Sequence, residues 1–357
     1  MIVEGSASES IAIAATVLRS GGLVGLPTET VYGLSADACD AQAVAKIFAA
    51  KGRPSEHPLI VHVANASGVA HFSDQVPGFA SQLIKAFWPG PLTLILPRRE
   101  GVAAAAAGGQ NSIGLRCPAH PVAQMLLQAL LEAPPNETPG ATPAPVWGLA
   151  APSANQFGRV SPTTADHVQS EMGGDLLILD GGACEVGIES TIIDCTRGVP
   201  VLLRPGAITR AQVEAACGQA VLSNEALDEA TPSAPRASGT LESHYAPNAK
   251  VRLMDARALQ AALDVLGAEI DSKRVAQAAA PADAPVIATY SRVVLQSASG
   301  KVLRRRMPDD ATATAQQLFA VLRDFDAQGV KLIWIEAPPA AAEWDGVRDR
   351  LQRASAA

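Results

Sequence analysis

The sequence predicts an α/β protein: a twisted, mixed sheet with helices over the first two-thirds of the chain, then a smaller, separate α/β unit. Three observations predict it. Short apolar runs bounded by Gly, Pro or Asp alternate with segments of helical period. A stretch rich in Ala, Ser, Pro and acids, residues 218–240, interrupts that alternation, and the alternation resumes beyond it with a changed composition. At 357 residues the chain also exceeds one typical domain, so length alone favours two.

In order, strands are predicted at residues 23–26, 59–63, 93–96, 113–116, 149–151, 176–179, 191–194 and 201–203. Helices are predicted at 8–19, 41–50, 121–131 and 163–172; the second carries Val44, Ile47 and Phe48 at i, i+3 and i+4. Ser161-Pro162-Thr163-Thr164 offers the last of these a cap and a Pro for an early helical position. Residues 132–146 are rich in Pro without a hydrophobic period and read as a surface loop. Past the linker, strands are expected at 251–254, 286–289, 302–306 and 332–336, with helices at 256–266, 311–328 and 342–354. No internal repeat is present.

Composition narrows the function classes. Hydrophobic residues make up 48% and charged ones 18%, and no apolar run approaches the ~18 residues of a membrane span. Glu4 and Glu9 stand where a secretory signal places basic residues, so a cytoplasmic protein is expected. The cysteines, Cys39, Cys117, Cys184, Cys195 and Cys217, are odd in number and scattered, with no C-x-x-C pair. They read as reduced, mostly buried thiols; Cys117, next to Arg116, could be an activated nucleophile, but a buried Cys acting as a small hydrophobe is the commoner case. The net charge is −7, and residues 1–222 hold 12 Lys/Arg against 18 Asp/Glu. A broad basic footprint for nucleic acid is therefore absent, and any cation-lined pocket must be local.

The densest chemistry lies early. Leu26-Pro27-Thr28-Glu29-Thr30-Val31-Tyr32-Gly33-Leu34, then Ala50-Lys51-Gly52-Arg53-Pro54 and Pro58-Leu59-Ile60-Val61-His62, set hydroxyls, two cations and a histidine on loops around short strands. Such a cluster can hold a polyanion beside a small polar molecule. Neither G-x-x-x-x-G-K-[ST] nor a G-x-G-x-x-G after a strand is present, so ATP, if used, binds another way. Taken alone, Lys51 and Arg53 could simply complement a helix C-terminus. Ser112 to Pro118, Ala151-Pro152-Ser153-Ala154-Asn155, Gly158 to Pro162, Gly187 to Thr191 and Leu203-Arg204-Pro205-Gly206 add further hydroxyls and cations, and the combination outweighs ordinary turn chemistry.

These segments, with Trp88-Pro89-Gly90-Pro91-Leu92-Thr93, closely resemble the threonylcarbamoyl-adenylate synthase family over about residues 8–218; His244-Tyr245-Ala246-Pro247 and the closing residues 346–353 extend the resemblance to its two-domain long form. It implies a YrdC-like catalytic domain at 1–217, a linker at 218–247 that covers the active site, and a Rossmann-like C-terminal domain at 248–357. It implies a nucleotidyltransferase: L-threonine, bicarbonate and ATP give L-threonylcarbamoyl-AMP and pyrophosphate, for modification of tRNAs reading codons that begin with A. By similarity Thr30, His62, Arg116, Ala151 and Ser190 fall at threonine-contacting positions. Lys51, Arg53, His57, Ser112, Ser153, Asn155, Ser161, Arg204 and Tyr245 fall at nucleotide-contacting ones. His57 departs from the family's usual Asn and would carry a variable charge near neutral pH.

The residues agree with that division. Arg116 can take a carboxylate bidentately, while Lys51, Arg53 and Arg204 can stabilise the charge that grows as pyrophosphate leaves. No acid or base is required once threonine carbamate exists, because its carboxylate is already the nucleophile. Mg2+ is implied on the phosphate oxygens and water rather than in a protein site. Tyr245 is expected to close over bound nucleotide and protect a labile anhydride. Product is expected to pass to a tRNA threonylcarbamoyl-transferase complex. His71, His120 and His167 receive no role, and Arg304-Arg305-Arg306 reads as a solvated edge strand. A non-catalytic RNA-binding module and carbamoyl-adenylate chemistry on another acceptor are the competing readings; the acidic balance of residues 1–222 opposes the first, and the threonine-pocket matches oppose the second.

Overall fold

The computed structural model describes residues 1–132, 144–223, 235–239, 244–270, 286–297 and 299–356. Most of the Pro-rich loop, 133–143, and parts of the linker, 224–234 and 240–243, lie outside them. The chain divides into two compact units: Met1–Phe157 with Ser161–Thr240, and Gly158–Val160 with Leu241–Ala357.

In the first unit the elements run β1 (Ile2–Glu4), α1 (Ser8–Arg19), β2 (Val24–Leu26), β3 (Gly33–Asp37), α2 (Ala41–Lys51), β4 (Ile60–His62), α3 (Val69–Phe72), α4 (Gly78–Phe87), β5 (Leu92–Pro97), β6 (Ser112–Arg116), α5 (Pro121–Leu131), β7 (Leu149–Ala150), α6 (Ala165–Met172), β8 (Leu177–Asp180), β9 (Thr191–Asp194), β10 (Val201–Arg204), α7 (Arg210–Cys217) and β11 (Leu222–Ser223). Among the described residues the strands join in the order β1-β8-β2-β3-β7-β4-β6-β5-β9-β10-β11. The sheet is mixed, as expected: β4 pairs with β6 in parallel, β5 with β6 antiparallel, and β5 with β9 in parallel.

That order brings distant motifs side by side. His62 of β4 is the register partner of Arg116 of β6. Leu92 of β5 pairs with Thr191 of β9, which sets Thr93 beside Ser190 at the entry to β9. Helix α2 forms because Asp40 caps it, accepting from Gln42 N and Ala43 N at 2.8 and 3.1 Å, and because Val44, Ile47 and Phe48 share its buried face. Gly52, at φ +61°, then takes the left-handed conformation that ends the helix and releases Arg53. On another part of the sheet α1 buries Ile11, Ala14, Ala15 and Leu18 against Val122, Leu126 and Leu130 of α5. Each such leucine contributes roughly 1.5–3 kcal/mol.

Several elements differ from expectation for identifiable reasons. β3 is a run of small and polar residues that becomes a strand only by pairing, Val24 with Ser35 and Leu26 with Gly33. α4 and α7 lie in segments left unassigned; α4 buries Phe79, Ala80 and Leu83, and α7 opens with a Thr209/Gln212 capping box. Within the expected linker, Leu222–Ser223 adds an edge strand to β10. The helix expected from 163 starts at Ala165 because Thr164 is its cap, its hydroxyl accepting from His167 N.

The second unit contains β12 (Lys250–Met254), α8 (Ala256–Ile270), β13 (Ile287–Ser291), β14 (Val302–Arg306), α9 (Ala311–Ala327), β15 (Leu332–Glu336) and α10 (Asp345–Ser355). Its sheet runs β12-β15-β13-β14 and every pairing is parallel, the doubly wound arrangement expected for this half. Leu259, Leu263, Ile287 and Trp334 form a core cluster, and α9 buries Leu318, Phe319, Leu322 and Phe325.

Candidate active site

The sequence-predicted cations of the first unit are nearly dry. Lys51, Arg116 and Arg204 are 2%, 4% and 2% exposed, and Arg53 is also buried. A buried cation must find acceptors, and each does. Lys51 Nζ donates to the carbonyls of Ser153 and Asn155. Burial first, and the Arg53 charge second, push its pKa well below the usual lysine value. Arg53 donates to Pro58 O at 3.0 Å and lies 5.6 Å from the centre of the Phe157 ring. Arg204 donates from Nε and Nη2 to Ser190 O at 3.1 and 2.9 Å, and from Nη2 to Ser190 Oγ at 3.2 Å. Gly206 makes that approach possible, since a Cβ there would lie 2.5 Å from Thr191 N and 2.8 Å from Glu189 O.

Around Arg116 the expected threonine residues converge. Its Nη1 donates to Thr30 Oγ1 at 2.7 Å and its Nε to Gly90 O at 3.2 Å. Its Nη2 forms a buried ion pair with Glu29 Oε1 at 2.6 Å, so each guanidinium nitrogen meets an oxygen of the chain itself. Thr28 and Thr30 hydroxyls meet at 2.9 Å, and Glu29 Oε2 accepts from Ala119 N at 3.0 Å. His62 is buried beside Arg116, and burial, with the Arg116 charge, depresses its pKa to about 3. It is therefore a neutral imidazole, and its Nδ1 has no hydrogen-bond partner among the described residues. Ala151 is fixed by its N–H to Ile60 O at 3.0 Å, at the end of the same strands. Ser190 Oγ sits 2.7 Å from Thr93 Oγ1.

The remaining nucleotide candidates distribute as follows. Ser153 bridges to Gly33, and Asn155 and Ser153 present the carbonyls that hold Lys51. Ser161 donates to Glu189. His57 packs edge-on against Phe157 at 5.4 Å, its pKa lowered by partial burial and then by Arg53. Ser112 borders a cavity of only about 10 Å³, walled by Pro58, Gln110 and residues Arg236, Ala237 and Ser238. Ser238 O accepts from Arg204 Nη1 at 2.8 Å, and its hydroxyl is 3.5 Å from Arg53 Nη2. The segment that covers these cations is thus 236–238. Tyr245 belongs to the second unit, where its ring stacks on Phe319 at 5.4 Å and lies 5.3 Å from the Arg350 guanidinium.

Sequence reasoning missed Glu29, Glu189, Thr93 and Ser238. Glu29 precedes Thr30, a candidate threonine contact, and only the fold shows it facing Arg116. Ser238 lies in a low-complexity stretch with no local signal. Cys117 is no activated thiol: burial raises its pKa and its Sγ donates to Ala64 O. A cavity of about 750 Å³ touches the site at Glu29, but Glu4, Asp180 and Glu185 also border it, so it repels a triphosphate.

A family model described as Telomere recombination matches residues 16–206, and one described as Threonylcarbamoyl-AMP synthase, C-terminal domain, matches 208–356. The chain is 42% identical over 246 residues to the Threonylcarbamoyl-AMP synthase of Pyrococcus abyssi (strain GE5 / Orsay), covering 69% of this chain and 68% of that one. With the protein of the same name from Bacillus subtilis (strain 168) it shares 35% over 348 residues, 97% of this chain and 92% of the relative. The crystal structure of P. abyssi Sua5 complexed with L-threonine has a TM-score of 0.82 to it at 32% identity, covering 99% of this chain and 97% of the other. The chain belongs to the threonylcarbamoyl-AMP synthase family.

Proposed function

We infer that this protein is a nucleotidyltransferase that condenses L-threonine, bicarbonate and ATP into L-threonylcarbamoyl-AMP, pyrophosphate and water. The observation that carries the reading is the paired geometry of the first unit. Arg116, with Glu29, Thr30 and neutral His62 around it, makes one small polar subsite, while Lys51, Arg53 and Arg204 supply cations suited to a triphosphate.

Threonine's carboxylate takes Arg116 in exchange for Glu29, with planar donors matched to two oxygens. Its amino group adds to bicarbonate-derived carbon, and the carbamate oxygen then attacks the α-phosphorus as pyrophosphate leaves. The chain's contribution is positioning and charge stabilisation: buried cations in a dry site need no reorganisation as charge grows on the leaving group. A neutral His62 suits a hydrogen bond to substrate without adding a charge. ATP must displace Ser238, whose backbone and hydroxyl oxygens meet Arg204 and Arg53 where phosphate oxygens would bind.

Among the described residues no group of three or more His, Cys, Asp or Glu could hold a metal. Mg2+ fits as part of the ATP substrate, on phosphate oxygens and water, and no step above runs through it. No helix among the described residues is long and apolar enough to cross a membrane. The expected setting is the cytoplasm, where product passes to a tRNA threonylcarbamoyl-transferase complex. The test is pyrophosphate release from ATP and bicarbonate with L-threonine, L-serine, L-valine or no amino acid, with mass detection of the adenylate. Threonine-dependent release with the threonylcarbamoyl-AMP mass is expected; silence with every amino acid would overturn the reading.

A further inference from the structure

The second unit holds a pocket of about 380 Å³ that the reaction above does not use. Its floor follows from register. In the parallel pair β13 and β14, Thr289 is opposite Arg304 and Ser291 is opposite Arg306. Alternate residues of a strand share a face, so the two guanidinium-bearing positions lie about 6.6 Å apart on one face, each beside a hydroxyl-bearing residue. One wall is the turn after β13, Val293 to Leu295, of which Val293 and Val294 are 44% and 75% exposed.

The turn is held firmly. Glu336, at the end of β15, accepts from Ser291 Oγ and Arg292 N, both at 2.7 Å, and pairs with the Arg292 side chain. This carboxylate is fully engaged and does not oppose an anion in the pocket. Arg304 donates to Leu295 O at 3.3 Å and pairs with no carboxylate among the described residues. Arg306 meets Asp309 at 3.0 Å, but both side chains are more than half exposed, so an incoming anion can replace that partner at little cost. Arg305 also borders the pocket, but its guanidinium pairs with Asp324 of α9.

We propose that this pocket binds a mononucleotide, its phosphate between Arg304 and Arg306 and its base against Val293 and Val294. Two guanidiniums suit a phosphate monoester, the volume suits a nucleotide, and the exposed valines give a base an apolar surface. A free phosphate would leave those valines unused.

The experiment is calorimetric titration of the full chain with AMP, inorganic phosphate and a single-stranded RNA oligonucleotide. The wild type is compared with Arg304→Gln/Arg306→Gln and with Val294→Asp. We expect the double variant to bind one equivalent of AMP fewer than the wild type, whatever the first unit binds, and to keep its melting temperature because both arginines are exposed. Val294→Asp should weaken that equivalent at least tenfold, and more than it weakens phosphate binding, since both anions meet the added charge but only AMP loses an apolar surface for its base. Equal AMP stoichiometry in wild type and double variant would overturn the proposal. So would phosphate binding as tightly as AMP, which marks a bare anion site. Loss of oligonucleotide binding with AMP stoichiometry intact would also overturn it, in favour of a nucleic-acid surface.

Discussion

The arginines of the two candidate sites are held in opposite ways. In the first unit, Arg116 and Arg204 are nearly solvent-free and fixed by hydroxyls, carbonyls and one carboxylate. In the second, Arg304, Arg305 and Arg306 stand in water, two of them paired with equally exposed carboxylates. A buried cation has its desolvation met by the fold before any ligand arrives, and it cannot swing away to another partner. A surface cation makes its pairs against water and salt, each worth about 0–1 kcal/mol. The first arrangement suits stabilising a transient charge in one geometry; the second suits reversible binding. Each contrast can be broken by substitution.

The largest effect is expected at Arg116. Arg116→Ala removes the carboxylate fork and leaves Glu29 buried without its counter-charge, a change that costs about 3–5 kcal/mol of stability for a buried pair. kcat/KM for threonine should fall at least a hundredfold, which a threonine titration of pyrophosphate release would measure. Arg116→Lys keeps the charge and should stay folded while still losing most activity. A folded Lys variant with less than a threefold loss would show that the fork geometry is not what binds threonine.

Next comes Lys51. Lys51→Met keeps the volume and removes an amine already destabilised by burial, but it takes the donor from the Ser153 and Asn155 carbonyls, so the melting temperature should fall only modestly. kcat should fall roughly 10²–10³-fold, as when one preorganised donor is lost, with KM for threonine little changed. Loss of threonine affinity instead would place Lys51 on the other substrate.

Much of this contrast was readable before the fold was known. Lys51 and Arg53 stood out because Gly52 and Pro54 punctuate a helix end, and Arg116 because Ser112, Gly114 and Arg116 fall at even spacing on one strand. The partners were not readable. Glu29 meets Arg116 across 87 positions of sequence, a pairing that depends on the β3-β7-β4-β6 order. β3 was invisible for a related reason: Gly33-Leu34-Ser35-Ala36-Asp37 has no strand pattern of its own and is recruited by β2 and β7. Arg304 to Arg306 was legible as an edge strand, but the pocket depends on which β13 residues lie opposite, and local sequence does not encode register.

His62 supplies a smaller, pH-dependent test. Its folded pKa is depressed to about 3 from the ordinary 6.5, so between those values the unfolded chain holds the extra proton. Stability from this group is complete above pH 6.5 and is lost as pH falls toward 3, about 2 kcal/mol of it between pH 7.5 and 5. Urea midpoints at those two pH values should therefore converge in His62→Gln relative to wild type. An unchanged pH slope in the variant would mean that His62 is not buried neutral.

The smallest effect belongs to Arg305, and it separates the two faces of one strand. Its guanidinium is 2.7 Å from Asp324, but the side chains are 51% and 40% exposed, so the pair is solvated and screened by salt. Arg305→Ala should change stability by no more than about 0.5 kcal/mol, as surface substitutions commonly do. Arg305 borders the pocket too, but its register partner is Tyr290 rather than Thr289 or Ser291 and its guanidinium is turned to Asp324, so the second-unit equivalent of AMP should survive this substitution while Arg304→Gln/Arg306→Gln removes it. If all three arginines proved equivalent in the titration, the pocket would be acting as a diffuse positive field, and register would have no part in its selectivity. A difference between neighbours one residue apart would come from register and from the Asp324 pair together.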